Sequence, residues 1–470
     1  MAASASPHHL PEVDPYASLL QMAAARASRY LAGIGDRRVG PTPGDVASLA
    51  QLGGALAEEG DDPEAIVDLL DRVGSPATMA VMGRRFFGGV IGGSLPVTVA
   101  AHWLADAWDQ NACLFELSPV AAYVEEVALS WLIDLFGLPM ESGGALVVGT
   151  QTAHVTALAA ARHALLAKAG WDVEQDGLFG APPITVVVGA EAHATVLKAL
   201  ALLGLGRRRI ITVPVDSQGR MRTAELPRLS GPAILCAQLG NVNSGCCDPL
   251  DTLCDTARQS GAWVHVDGAF GLWASAAPAR RHLTAGLELA DSWATDGHKW
   301  LNTPQDCGIA IVRDRDALRE AMAVSGAYYG EPLGRDPMRW CPDSSRRARA
   351  IELWAALRYL GRRGIGDQIE RTCRLAERFA AGLRRAGHEI LNEVALNQVL
   401  VSFGPAELTD RVIEAIQDDG ICWCGGTTWH GRRAMRISVS SWATTEADIA
   451  LCLEAVDRAY RRCAQVLEIG

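Results

Sequence analysis

The sequence predicts an α/β fold: a mostly parallel seven-stranded sheet in a large domain, a helical N-terminal segment and a small α+β C-terminal domain. Two observations predict it. Between residues 143 and 314, seven short apolar runs alternate with helical stretches, and the runs are too uniformly apolar for strands with one wet face. The chain's 470 residues also exceed what one simple core holds, so a large domain with smaller companions is expected.

The strands are expected at 144–149 (GALVVG), 184–189 (ITVVVG), 209–215 (RIITVPV), 232–239 (PAILCAQL), 262–267 (AWVHVD), 291–295 (DSWAT) and 308–313 (GIAIVR). Segments 151–169, 191–204 and 250–260 carry apolar residues at helical spacing. Residues 1–80 read as helices and turns, with amphipathic stretches near 15–33 and 44–59. Such a segment buries little alone, so it is expected to wrap the main domain or a partner subunit. After 315 come a loop rich in Gly, Pro and Tyr (325–343), a helical stretch (345–386), and the pieces 389–403, 410–420 and 433–441. The organisation expected is a helical segment over 1–80, a large α/β domain over 81–320, and a mobile loop with a small domain over 321–470.

Composition excludes several classes. With 49% apolar and 21% charged residues the chain is not disordered, and a formal charge of −11 offers no basic surface to nucleic acid. No apolar run reaches the ~18–20 residues that span a bilayer. The N-terminus MAASASPHHLPEVDPYA lacks the basic-then-apolar layout of a secretory signal, so cytoplasm is the expected compartment. The twelve cysteines are scattered, several in apolar stretches, and are expected as buried free thiols. Cys246-Cys247 and Cys422-x-Cys424 lack the paired spacing of a zinc site, and no metal is expected.

Lysine is scarce: only Lys168, Lys198 and Lys299 occur. The first two lie in amphipathic helical stretches, as solvated or snorkelling amines. Lys299 instead follows an apolar strand in DSWATDGHKWLNTPQDCG, between His298 and Trp300. A buried lysine loses its proton readily and attacks an aldehyde, which Schiff-base chemistry requires. In VHVDGAFG (264–271), Asp267 closes another apolar run. A carboxylate at the C-terminal end of a parallel strand lies where such folds bind ligands. Opposite a pyridine nitrogen it would keep that nitrogen protonated and make the ring a stronger electron sink. A capping or turn aspartate reads the same way in isolation.

In GTQTAHVTALAAAR (149–162) a strand ends at Gly149 and small polar residues open a helix. Amide N–H groups and the helix dipole make an anion site there, to which Thr150, Gln151 and Thr152 can add donors. An ordinary N-cap uses the same residues. His193, in VVVGAEAHATVLKAL, follows a further strand, and its ring suits either stacking on a pyridine face or capping the helix behind it.

Taken in order, the turn 149–154, His193, NVNSG (241–245), HVDGA (265–269) and GHKW (297–300) resemble the group II pyridoxal-dependent decarboxylases, which include aromatic-L-amino-acid, glutamate and tyrosine decarboxylases. The resemblance runs from RRFFG (84–88) to RISVSSW (436–442). It implies fold type I, pyridoxal 5′-phosphate as cofactor, and an obligate homodimer with active sites at the subunit boundary. By position, Lys299 would hold the cofactor as a Schiff base and Asp267 would face the pyridinium nitrogen. Ala269 would pack on the ring face opposite His193. Thr150 and Gln151 would hold the phosphate with help from His298, and Asn243 or its neighbour Asn241 would lie near the ring substituents.

The resemblance also implies a reaction: decarboxylation of an L-amino acid to its amine. Tyr328 in SGAYYGEPLG, with adjacent Tyr329 as the alternative, matches the loop tyrosine that returns a proton to Cα. By the resemblance Phe86, Phe87 and Trp103 would line the pocket and lean toward an aromatic or bulky apolar substrate; the same residues read equally well as core packing. Rival reactions on the same scaffold are decarboxylation-dependent oxidative deamination, transamination and carbon–carbon lysis. In an aminotransferase Arg436 would clamp the substrate carboxylate, whereas the decarboxylase resemblance makes it structural. Two positions depart from the pattern. Asp296 stands where relatives often carry Asn or Ser; a carboxylate beside a phosphate is repulsive, so Asp296 is not assigned to the cofactor. His154 stands where many relatives have Asn.

Overall fold

The computed structural model describes residues 14, 16–323 and 333–469. Each of the seven apolar runs forms a strand: β1 Gly143–Val147, β2 Thr185–Gly189, β3 Ile210–Val213, β4 Ala233–Gln238, β5 Trp263–Asp267, β6 Ser292–Asp296 and β7 Gly308–Val312. They build one sheet in the order β1-β7-β6-β5-β4-β2-β3. Strand β7 runs antiparallel to both neighbours, and the other pairs are parallel. Strands β1, β2, β4, β5 and β6 therefore all end at one edge, and the loops after them share that edge.

Both faces of the sheet are covered, which is why its strands read as unbroken apolar runs. Alternate side chains leave opposite faces. Val187, Leu235, Val264 and Val266 join a core with Leu132, Leu253 and Leu353 from the helices Pro119–Phe136, Leu250–Ser260 and Ala350–Arg385. Val186, Val188, Ile234 and Trp263 face the other way, onto the helices Thr150–Lys168 and Ala194–Leu202.

A second, antiparallel sheet follows in the order β10-β11-β9-β8, from β8 Glu389–Ile390, β9 Gln398–Ser402, β10 Gly425–Trp429 and β11 Arg432–Ser438. Its own core gathers Phe87, Phe379, Val401, Ile437 and Val456. Strand β10 was not expected from sequence, because GGTTW is a partly exposed, polar edge strand without an apolar run. The helices Pro96–Trp108 and Pro119–Phe136 also lie in a region to which the sequence assigned no element. The long helix Ala350–Arg385 falls where helical spacing put it, but Gly361, at φ 60°, breaks its regular path. All twelve cysteines are free, and eleven are buried. No helix among the described residues is long and apolar enough to cross a membrane.

A buried ion cluster ties the helix Pro119–Phe136 to β1. Glu125, 1% exposed, sits 2.8 Å from Arg346 and 3.0 Å from Arg335. Arg346 also donates to the Leu146 carbonyl and Arg335 to the Gly144 carbonyl, each at 2.6 Å. Burial pushes the Glu125 carboxyl up, but the two guanidiniums outweigh it and hold it below its ordinary value. Because the folded value is depressed, this contribution is complete at neutral pH and is lost as pH falls through the folded titration. Glu125→Ala leaves Arg346 buried without its counter-charge and is expected to cost about 3–5 kcal/mol in denaturant unfolding at neutral pH. A loss under about 1 kcal/mol, the surface-pair range, would show that the cluster is not a structural tie.

Candidate active site

Four strand ends deliver the chemistry-bearing residues to one edge. Gly149 and Thr150 follow β1, His193 follows β2, Asp267 closes β5, and Asp296 to Lys299 close and follow β6. The Lys299 amine lies 3.1 Å from Asp296 Oδ2, with the lysine side chain 22% exposed and the carboxylate 2%. Asp296 Oδ1 accepts the Thr150 backbone N–H at 2.7 Å, at the first turn of the helix Thr150–Lys168. Asp296, not assigned to the cofactor from sequence because a carboxylate repels a phosphate, thus links the amine to the helix N-terminus, itself a favourable place for a carboxylate.

This approach needs the absence of a side chain at Gly308, where a Cβ would fall 2.4 Å from the Gly149 backbone. His298 accepts the Cys307 N–H at Nδ1 (2.9 Å), which leaves Nε2 turned to Asp296 at 3.7 Å. Burial keeps this ring below its ordinary pKa.

At the same helix end Thr150 Oγ1 and Gln151 Nε2 are buried without a hydrogen-bond partner among the described residues. Each such group costs about 1–3 kcal/mol unless something satisfies it. A phosphate supplies acceptors for both and is favoured by the helix dipole. The donor set therefore fits the phosphate of pyridoxal 5′-phosphate, with Asp296 as its one opposing charge.

Asp267, 4% exposed, accepts the Ala269 N–H at 3.2 Å through Oδ1. No protein donor among the described residues reaches its Oδ2, so one carboxylate oxygen remains for a ligand. His193 borders the same small pocket as Asp267. It both caps a helix and faces the site: Thr195 N–H donates to Nδ1 at 3.3 Å, which places the ring proton on Nε2. Burial holds His193 below its ordinary pKa, against the pull of Asp267.

The two asparagines separate. Asn241 spends both ends of its amide inside the turn, accepting from the N–H groups of Asn243 and Ser244 and donating to Gln238. Asn243 accepts from the Thr427 hydroxyl at 2.9 Å, on β10. Arg436 is half-buried, and its guanidinium makes one hydrogen bond among the described residues, to the Val242 carbonyl at 3.5 Å. No carboxylate pairs with it among the described residues, yet it lies near enough to His193 to oppose that ring's protonation.

Three residues expected to line the pocket do not converge on it. Phe87 is fully buried and meets Phe379 edge to face, Phe86 stacks on Trp423 at 5.2 Å, and Trp103 borders a separate cavity with Leu31, Ile34 and Met82. The core of the second sheet claims Phe87, and the stack with Trp423 claims Phe86. Tyr328 and Tyr329 lie outside the described residues.

The charge conflict at Asp296 is testable. Asp296→Asn removes one negative charge at short range from a partly buried anion site and is expected to tighten inorganic phosphate binding by about tenfold or more in calorimetric titration. Unchanged affinity would show that the anion binds away from this helix end.

Comparison with known proteins gives the family. Residues 50–404 match the family model described as the pyridoxal-dependent decarboxylase conserved domain. The acidic amino acid decarboxylase of Bos taurus is 27% identical over 339 residues, a match covering 69% of this chain and 64% of that protein, less than two thirds of its length. The aromatic-L-amino-acid decarboxylase of Bacillus atrophaeus is 27% identical over 376 residues, 77% of this chain and 76% of that one. Among solved structures, the Oryza sativa enzyme crystallised with pyridoxal phosphate and tryptamine superposes with a TM-score of 0.88 at 23% identity, covering 97% of this chain and 99% of that chain. With three quarters of its length matched by one family model, the chain belongs to the pyridoxal-dependent decarboxylases.

Proposed function

We propose that the protein converts an L-amino acid to the corresponding amine and carbon dioxide. One observation carries the reading: the Lys299 amine, tied through Asp296 to a helix end with two buried donors unsatisfied among the described residues, shares its sheet edge with an aspartate that has one open oxygen. Pyridoxal phosphate, when bound, supplies a ring that takes up the electron pair left as the Cα–carboxylate bond breaks. Lys299 would hold it covalently, Thr150 and Gln151 its phosphate, and Asp267 Oδ2 the proton of its ring nitrogen. Ala269 and the His193 ring would flank its two faces, while Asn243 would stand near its ring substituents. His298, kept uncharged by burial, would keep Asp296 oriented.

The remaining roles concern the substrate. Arg436 holds a full charge without a carboxylate partner among the described residues, which suits an anionic group of the amino acid. The Tyr328 hydroxyl would return a proton to Cα, with Tyr329 as its alternative. An aromatic or bulky apolar side chain loses the support that Phe86 and Phe87 gave it, and the named relatives act on acidic and aromatic amino acids alike. A homodimer is supported by the apolar surface around the helix Pro96–Trp108: Trp103, Leu104, Trp108, Leu117, Val120 and Tyr123 are all well exposed.

Carbon dioxide release across aromatic and acidic L-amino acids, with amine formed and no oxygen consumed, is the expected result for the protein supplied with pyridoxal phosphate. Oxygen uptake with aldehyde formation would instead favour oxidative deamination. Borohydride is expected to fix the cofactor on Lys299, read by peptide mass; a label on another residue would overturn the assignment. Tyr328→Phe is expected to lower amine output and raise aldehyde or transamination side products, and unchanged amine output would remove Tyr328 from the reaction.

A further inference from the structure

Behind Asp267 lies a chain of buried polar groups that the reaction itself does not use. Strand β5 reads Trp263-Val264-His265-Val266-Asp267, so Trp263, His265 and Asp267 share one face. That face meets the helix Thr150–Lys168, which carries His154. Strand pairing sets His265 beside Ser292 on β6. The Trp263 indole N–H donates to Ser292 Oγ at 2.8 Å, and Ser292 Oγ lies 2.9 Å from His265 Nδ1. His265 Nε2 lies 2.9 Å from His154 Nδ1, the rings meeting edge to face at 81°. His154 Nε2 then faces Asp267 Oδ1 at 3.6 Å and has no hydrogen-bond partner among the described residues. Ser292, His265 and His154 are all 0% exposed.

The protons in this chain have one consistent placement. An indole N–H only donates, so it occupies a lone pair of Ser292 Oγ. The serine hydrogen, shut away from water, then has His265 Nδ1 as its acceptor. That puts the proton of neutral His265 on Nε2, where it is donated to His154 Nδ1, and the proton of His154 on Nε2, aimed at Asp267. Running the chain the other way strands the serine hydrogen and turns a nitrogen lone pair onto a carboxylate, two penalties at once. Burial lowers the pKa of both rings, His265 well below the usual range, which keeps them neutral.

We infer that His154 is a positioning residue for Asp267, the inner end of a relay of hydrogen bonds that starts at Trp263 and fixes an N–H donor against Oδ1. Together with the Ala269 N–H it holds the inner oxygen of the carboxylate and keeps Oδ2 presented to the ligand. At 3.6 Å the donor stands just beyond hydrogen-bond length from Oδ1, so it acts on the carboxylate as an oriented N–H dipole. His154 thereby completes the support of Asp267 at a position that departs from many relatives.

The inference rests in part on the cofactor reading above, so the test has two independent arms. Long-range proton–nitrogen NMR of the full chain labelled in histidine, without cofactor, should show His154 and His265 both as neutral Nε2–H tautomers, assigned from the signals lost in His154→Gln and His265→Asn. Titration with pyridoxal phosphate, followed by tryptophan fluorescence, should show binding weakened about tenfold or more in His154→Leu. His154→Gln, whose amide can replace the Nε2–H donor, should restore it. The nitrogen shift of isotopically labelled cofactor should move in the Leu variant and return in the Gln variant. If the Leu variant does not fold, Ser292→Ala serves: it removes the fixed end of the relay and should give mixed histidine tautomers. An Nδ1–H tautomer at His154, tautomers unmoved by Ser292→Ala, or a Leu variant with unaltered affinity and nitrogen shift would overturn the relay. Failure of the unaltered protein to bind pyridoxal phosphate would sink the cofactor reading and leave the tautomer arm standing.

Discussion

The site depends on one close crossing of backbones. Strand β7 enters antiparallel between β1 and β6 and passes the end of β1 so tightly that no side chain fits at Gly308. This crossing sets the first turn of the helix Thr150–Lys168 over the segment that carries Lys299. A side chain at Gly308 would collide with the end of β1, where the anion-binding helix starts, one strand removed from β6, which leads to the reactive amine. The contact of Asp296 with Thr150 on one side and Lys299 on the other follows directly from the crossing.

Around that crossing the charges are few and the rings are neutral. His154, His193, His265 and His298 all lie below their ordinary pKa, in each case chiefly through burial. Two carboxylates, one amine and one guanidinium remain to act on a ligand. Neutral imidazoles can offer a donor and an acceptor without adding charge, so they can orient these groups without cancelling them. The edge of the sheet is therefore strongly directional but electrostatically sparse.

Much of this was legible in the sequence because both-face burial writes a strand as an unbroken apolar run. All seven strands of the large sheet could be located on that ground, whereas the polar edge strand β10 could not. Thr150, Asp267, His193 and Lys299 were legible for a related reason: each stands where an apolar run stops. The helix Pro119–Phe136 left little trace, since it buries residues from Ala121 and Ala122 through Glu125 to Phe136 on more than one face and lacks a clean stripe. Phe86 and Phe87 misled because an aromatic pair reads alike whether it packs a core or lines a pocket. The pairing of His265 with Ser292 is a matter of register between β5 and β6, which no local pattern encodes. The alternation in Trp263-Val-His265-Val-Asp267 was still a usable hint, since it puts the three polar-tipped side chains on one face.

The scarcity of lysine acquires a meaning once the chain is folded. Lys168 and Lys198 are exposed on their helices, while arginine supplies nearly every other cation. Guanidinium groups do not condense with carbonyl compounds under conditions where amines do. A free aldehyde diffusing up to this protein thus meets a surface almost bare of competing nucleophilic nitrogen, and its encounters are not wasted on adventitious adducts before it reaches the edge of the sheet.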